Sequence, residues 1–455
     1  MAILCKEIIE LEKQEVERQR HWIELIASEN YPSTSVREIV GSMFIAKYAE
    51  GYPIDSDSKG QKWRYYGGCE IVDKLENLTR NKALEMFRVD KEEYHVNVQP
   101  HSWSQANEAA LMSVLKNWDK ILSLDLSHWG HLSHWMFLNS SGRNYEIAHY
   151  QVQEETWRID YDVILEQAKE YKPKLIICWA SAYSRKIDFE KFRKIADEVW
   201  AYLMADIAHI AWLVIAWLHN CPFKAGCDII TSTTHKTIRW NRGWIVFTKI
   251  KNKAWKNFAK IIDTRVFPWV QWGPLMNEIA GKLVAFNEAC SDEFKEYQLN
   301  VKNNARALAK HLKEWFANSK YLTGAKILSG WTDNHLILVD FINVEWLTWA
   351  DAQTELWKYD ITLNKNLIPW DKESPQITSW IRIGTPAITT RWADEAFIEI
   401  LAWTIARILD EYLLKKIWTA EWKMPSSDFH KDVSKLLAML HDKWIDWKPL
   451  ITSIY

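Results

Sequence analysis

Apolar and polar positions follow two different periods along this chain. Residues 3–27 and 33–50 repeat at a helical spacing. YPIDSDSKGQK, residues 52–62, has turn chemistry and no apolar period, and predicts a loop. From about residue 70 the pattern changes. The short apolar runs KILSLDL, KLIICWAS, AYLMADIA, DIITSTT and WIVFTKI predict strands, with the helical stretches YDVILEQAKEY and FEKFRKIADEV between them. Strands alternating with amphipathic helices predict an α/β fold with a mostly parallel sheet covered on both faces. A helical pattern over residues 278–318 then leads into a smaller α+β region. There HLILVDF and SWIRIGTPA read as strands, and residues 350–358 and ADEAFIEILAWTIARILDEYLLKK read as helices. The expected parts are a helical arm over 1–50, a large domain over 51–285 and a small domain over 286–455.

Composition narrows the function. A net charge of -2 gives no basic excess for nucleic acid. No apolar run reaches the roughly 18 residues of a membrane span. The Glu-rich N-terminal segment has no signal-peptide pattern. Six cysteines without CxxC spacing fit reduced thiols in a cytoplasmic protein, and no metal site is expected.

Ligands of open α/β sheets sit beyond the carboxyl ends of the strands, which directs attention to three places. In AYLMADIAH, Asp206 closes a strand and His209 follows; Asp206 is either a partner for a cationic ring nitrogen or a helix cap. In DIITSTTHKT, Lys236 follows a run of hydroxyls that includes Thr233, with His235 beside it. It is either a Schiff-base amine or an exposed loop lysine. In VNVQPHSWSQANEAALMSVL, Ser102, Trp103 and Ser104 open a helix, a place for a phosphate or a simple N-cap. Trp103 fits a phosphate loop poorly because its side chain would crowd the anion.

The order of these elements, phosphate loop, then Asp, then Lys about thirty residues on, resembles the aspartate-aminotransferase fold of pyridoxal-phosphate (PLP) enzymes, fold type I. IELIASENYPS, KYAEGYP, RYYGGCEIVD, GHLSH, SAYSR, ADIAHIA, TSTTHKT, TDNHLILVD and IRIGTPAITTR resemble serine hydroxymethyltransferase over residues 7–415. That resemblance implies a seven-stranded sheet and PLP as cofactor. It implies transfer of a hydroxymethyl group from L-serine to tetrahydrofolate, giving glycine and methylenetetrahydrofolate. By motif, Lys236 would form the Schiff base, with His235 beside it, and Asp206 would pair with the ring nitrogen. His209 would reach the phenolic oxygen, with Ser181 in the same hydrogen-bonding shell. His131 would stack on the ring, and Ser102 and Ser104 would hold the phosphate, with Trp103 and Thr233 in the same cofactor site. Arg382, Ser28, Tyr48 and Tyr66 would bind the amino acid. Glu50 would be the acid–base group. Leu126, Gly130, His131, Leu132, Asn366, Ser374, Pro375 and Gln376, together with Glu50, would bind folate. Glu50 and the tyrosines would serve a second subunit's site, which implies an obligate homodimer, alone or paired into a tetramer. The rivals are another fold-type I enzyme such as a threonine aldolase, an inactive member of the family, and a scaffold protein derived from it.

One count is abnormal: 29 Trp against 14 Gly. Gly is about 3% of the chain against an ordinary ~7%. Trp stands where the family has Gly at Trp103, Trp129, Trp135, Trp157, Trp212, Trp217, Trp240, Trp244, Trp269, Trp272, Trp331 and Trp380. A codon read here as Trp and by the source organism as Gly would explain this; returning about 20 of them restores the usual Gly level. Trp22, Trp255, Trp315, Trp346 and Trp403 read as genuine from their contexts.

Overall fold

A computed structural model describes residues 6–130, 134, 138–365, 380–417, 429–440 and 445. The chain forms two compact units: residues 35–299, and residues 1–34 together with 300–455. The boundaries therefore differ from the expected 50/51 and 285/286. The N-terminal arm divides at residue 34, because Ile23–Glu24 pairs in parallel with Ile361–Thr362 and binds the start of the chain into the C-terminal unit.

The larger unit is built on a seven-stranded sheet, as expected. Its strands are β1 (Tyr94–Asn97), β2 (Lys120–Leu124), β3 (Glu146–Tyr150), β4 (Leu175–Cys178), β5 (Tyr202–Asp206), β6 (Ile229–Thr233) and β7 (Trp244–Lys249). The spatial order is β1-β7-β6-β5-β4-β2-β3. Only β7 runs against its neighbours. The other six strands therefore present their carboxyl ends at one edge of the sheet. Their apolar runs lie between helices, which is why Ile176, Ile177, Leu203, Met204, Ile229 and Ile230 are fully buried. The intervening helices start where side chains cap them. Asp160 accepts from the amides of Asp162 and Val163 ahead of Tyr161–Tyr171, and Asp188 accepts from Lys191 ahead of Phe189–Glu198.

The smaller unit carries a four-stranded antiparallel sheet in the order Lys326–Ile327, Leu336–Asp340, Trp380–Gly384, Asn364–Lys365. The helix Glu395–Ile417 buries Phe397, Leu401, Ile405 and Leu409 in that unit's core. Two expected helices break. Residues 33–50 give Thr34–Val40 and a single turn, Met43–Ala46, parted by Gly41 and Ser42. The pattern over 278–318 divides at Cys290 and Ser291 into Met276–Ala289 and Asp292–Asn318.

The backbone bears directly on the tryptophan excess. Among the described residues, thirteen other than glycine have positive φ, and eight of these are Trp: 118, 129, 157, 200, 217, 255, 346 and 392. Trp129, Trp157 and Trp217 are among the expected glycine positions. Trp255 and Trp346, read as genuine from their contexts, also sit in left-handed turns, a conformation that favours glycine. Trp315 and Trp403, in contrast, lie inside the helices Asp292–Asn318 and Glu395–Ile417. A left-handed L-residue brings its Cβ against the carbonyl oxygen, at roughly 1–2 kcal/mol each. Eight such residues cost on the order of 10 kcal/mol, comparable with the whole net stability of a domain, roughly 5–15 kcal/mol.

Candidate active site

The chemistry-bearing residues of the larger unit gather where the strands end. Ser102 caps the helix Trp103–Val114, its Oγ accepting from the Gln105 amide. Ser104 is exposed beside it. Trp103 lies on the first turn of that helix, and its indole Nε1 donates to Asp206 Oδ2 at 2.6 Å. Asn107 Nδ2, one turn further along, donates to the same oxygen at 3.1 Å, and His134 Nε2 lies 3.3 Å from it. The other carboxylate oxygen accepts from the Ala208 amide at 3.1 Å. Asp206 is thus a buried carboxylate at the tip of β5 with a full set of donors. Burial pushes its pKa up, but the His134, Trp103 and Asn107 donors and the His134 charge outweigh this and hold it below the usual carboxylate range.

Lys236 follows β6 and is buried. Its Nζ lies 4.4 Å from the centroid of the Trp103 ring and 5.5 Å from that of Trp179. One planar heteroaromatic group therefore connects the two residues of greatest interest, with its N–H on the acid and its face under the amine. The Trp103 ring stacks on Trp244 at 5.9 Å and meets Trp179 edge-on at 4.9 Å. His209 and His134 pack on Trp179 at 5.3 and 5.8 Å, and His235 on Trp244 at 4.6 Å. Burial and the neighbouring charges of Lys236 and Arg242 pull the His235 pKa down to about 3, so its imidazole is neutral. Thr233 Oγ1 donates to the Ala208 carbonyl at 3.1 Å, tying β6 to the turn after β5.

The other expected residues fall in separate places. Ser181 Oγ donates to the Trp129 carbonyl at 3.0 Å. Leu126 and Gly130 belong to the turn after β2. A Cβ on Gly130 would lie 2.3 Å from the Leu124 carbonyl oxygen, so no side chain fits there. Glu50 is buried and meets the Tyr66 hydroxyl. Tyr66 in turn packs edge-on against Tyr48 at 5.6 Å, and Tyr48 and Tyr66 remain 63% and 44% exposed. In the smaller unit, Ser28 is half-buried and Arg382 is buried, its Nε donating to Asn364 Oδ1 at 3.0 Å. Burial lowers the Arg382 pKa to about 10. His131, Leu132, Asn366, Ser374, Pro375 and Gln376 lie outside the described residues. Sequence reasoning missed Asn107 and His134 as partners of Asp206. His134 lies in the GHLSH segment that resembles the family and Asn107 on the helix opened by Ser102, but no local spacing shows that these two segments converge on one oxygen.

The family model for serine hydroxymethyltransferase matches residues 2–405. The chain belongs to the serine hydroxymethyltransferase family. A serine hydroxymethyltransferase of a Nitratiruptor species is 48% identical over 403 residues, covering 89% of this chain and 90% of the relative. One from Myxococcus xanthus is 47% identical over 410 residues, covering 90% and 91%. Enzymes of the serine hydroxymethyltransferase family use PLP to move the hydroxymethyl group of serine to tetrahydrofolate, leaving glycine. Nothing in these matches favours another fold-type I enzyme. The polar groups at the ends of β5 and β6 suit PLP: a buried anionic carboxylate for the ring N–H, a buried amine, and a hydroxyl-capped helix start for the phosphate. The volume between them does not, because the indole of Trp103 lies where the ring would go.

Proposed function

We propose that Asp206, Lys236 and the helix opened by Ser102 form the PLP site of this serine hydroxymethyltransferase. When bound, PLP supplies an electron sink for the bond that breaks at the amino-acid α-carbon. On this reading Asp206, oriented by Asn107 and His134, keeps the ring nitrogen protonated. Lys236 would hold the cofactor through its amine. Ser102 and Ser104 hold the phosphate, with Thr233, His209 and Ser181 completing the site and His131 against the ring. His235, kept neutral, sits beside Lys236. Arg382 grips the serine carboxylate through its planar fork, and a carboxylate arriving beside it would offset the cost of its burial. Ser28, Tyr48 and Tyr66 complete the amino-acid site. Glu50 moves the proton at the serine hydroxyl in a second subunit's site, and Glu50, Leu126, Gly130, His131, Leu132, Asn366, Ser374, Pro375 and Gln376 are assigned to folate by motif.

The observation that carries this reading is the Trp103 indole, a flat ring whose N–H is bound by Asp206 and whose face meets Lys236. Exposure of Tyr48, Tyr65, Met43 and Ile45, between 63% and 84%, supports a second copy of the chain covering this surface, so the working form is a homodimer or a larger assembly of dimers. Free thiols at Cys69, Cys178, Cys221, Cys227 and Cys290 support a reducing, cytoplasmic setting. Among the described residues no helix is long and apolar enough to cross a membrane. The test uses the protein purified from its own source. Cleavage of serine to glycine should require tetrahydrofolate, and equal cleavage without it would point instead to an aldolase.

A further inference from the structure

Three indoles fill the space around Lys236 and Asp206: Trp103, Trp179 and Trp244. They come from the start of the helix Trp103–Val114, the residue after β4 and the first residue of β7, three elements that end at the same edge of the sheet. Around them stand groups that suit a ligand with a ring N–H and an electrophilic carbon: a buried carboxylate, a buried primary amine, and the imidazoles of His134, His209 and His235. An indole satisfies the carboxylate but offers the amine nothing to react with.

We infer that residues 103, 179 and 244 are glycine in the protein its source organism makes, because the codon rendered as tryptophan specifies glycine there. The inference rests on the PLP reading for its meaning at the site, but not for its support, which comes from three further observations. Trp is the most frequent non-glycine residue among the described left-handed positions, including Trp118, Trp200 and Trp255, which lie in surface turns. An autoinhibitory plug would explain Trp103 and leave those turns unexplained. The indole N–H groups of Trp129, Trp240 and Trp244 are buried without a hydrogen-bond partner, whereas native proteins satisfy nearly all such donors. Finally, a Cβ added to Gly281 would lie 1.4 Å from the Trp240 ring, so that ring occupies the place of an ordinary side-chain contact. Glycine at 103, 179 and 244 removes all three rings from the site and leaves Asp206, Asn107, His134 and Lys236 in place around a flat opening. The chemical class that fits there is a protonated pyridine aldehyde with a phosphate directed at the helix start.

Trypsin isolates each position. Peptide 92–116 contains Trp103 as its sole tryptophan, peptide 175–185 contains only Trp179, and peptide 243–249 only Trp244. Mass spectra of the protein purified from its source should show each peptide lighter by the difference between a tryptophan and a glycine residue. Tryptophan at 103 in that protein overturns the inference, whatever the protein binds. In parallel, the chain as written and its W103G/W179G/W244G variant are titrated with PLP and followed by visible absorbance. The variant should bind at least about 100-fold more tightly, since PLP must otherwise turn a buried indole out into water. Equal affinity would contradict the claim that these rings close the site. Glycine-bearing peptides from a native protein that takes up no PLP would uphold the codon inference and remove the PLP reading, so the two fail separately.

Discussion

Two buried aspartates in the larger unit have nearly the same surroundings and different uses. Asp263 accepts from Asn97 Nδ2 at 2.8 Å and lies 2.8 Å from His95 Nε2. Asp206 takes an Asn and a His in the same way, from Asn107 and His134. Both carboxyls are fully enclosed, and in both burial raises the pKa but is outweighed, at Asp206 by its donors and the His134 charge and at Asp263 by the charge and hydrogen bond of His95 with the charge of Arg80. Each also accepts from a backbone amide, that of Gln61 at 2.8 Å for Asp263 and that of Ala208 at 3.1 Å for Asp206, and the Tyr52 hydroxyl donates to the Asp263 carbonyl at 2.6 Å. The difference is one further donor: Asp206 Oδ2 also takes the N–H of an aromatic ring. On the proposed reading, the carboxylate closed only by the chain's fixed groups is an anchor, and the one that also binds a ring N–H is a receptor, because the ring can be exchanged for another molecule.

That contrast can be broken experimentally. Asp206→Asn, in the glycine-bearing protein, should lower serine turnover on the order of 10²–10³-fold with little change in denaturant midpoint. Asp263→Asn should do the reverse, lowering stability by about 3–5 kcal/mol because a buried partner charge is lost, as read by urea unfolding. If both variants shift only stability, Asp206 is an anchor too. Gly60 sharpens the comparison, since a Cβ there would sit 2.1 Å from Asp263 Oδ2. Gly60→Ala should cost about 1–3 kcal/mol by displacing the loop over residues 52–62, and an unchanged melting curve would show that the loop is not held by Asp263. In the chain as written, Trp118→Gly should raise stability by about 1 kcal/mol, because Trp118 is 74% exposed at φ 69 and loses little burial.

The smallest effect is in acid. Both carboxyls lie below the ordinary 3.8 of an unfolded Asp. The stability each contributes is present above that value and lost as pH falls through the depressed folded pKa. Asp263→Asn should therefore flatten the acid limb of a stability–pH curve, and an unaltered limb would show that Asp263 is not ionised in the fold.

Much of the fold was legible because burial imposes simple patterns. The run YDVILEQAKEY became the helix Tyr161–Tyr171 residue for residue, capped by Asp160. β3 was not read, because EIAHY lies at the sheet edge and only Tyr150 is buried, so its pattern has no apolar alternation. The breaks at Gly41 and at Cys290 left no trace in the helical period. At the site, the positions of Asp206 and Lys236 at and after strand ends were legible from the apolar runs before them. Their connection through one ring was not, since it depends on how separate strands align. The left-handed turns at Trp255 and Trp346 were not read, although the nearby Asn252 and Asn343 mark them.

On the proposed reading, the amine of residue 236 and the acid of residue 206 address the same aromatic ring. Borohydride reduction of the PLP-loaded protein with glycine at 103, 179 and 244, followed by peptide mapping, tests it most directly. The pyridoxyl label should be found on Lys236 and should vanish in Lys236→Ala. A label on another lysine, or the same labelling after Lys236→Ala, would contradict it.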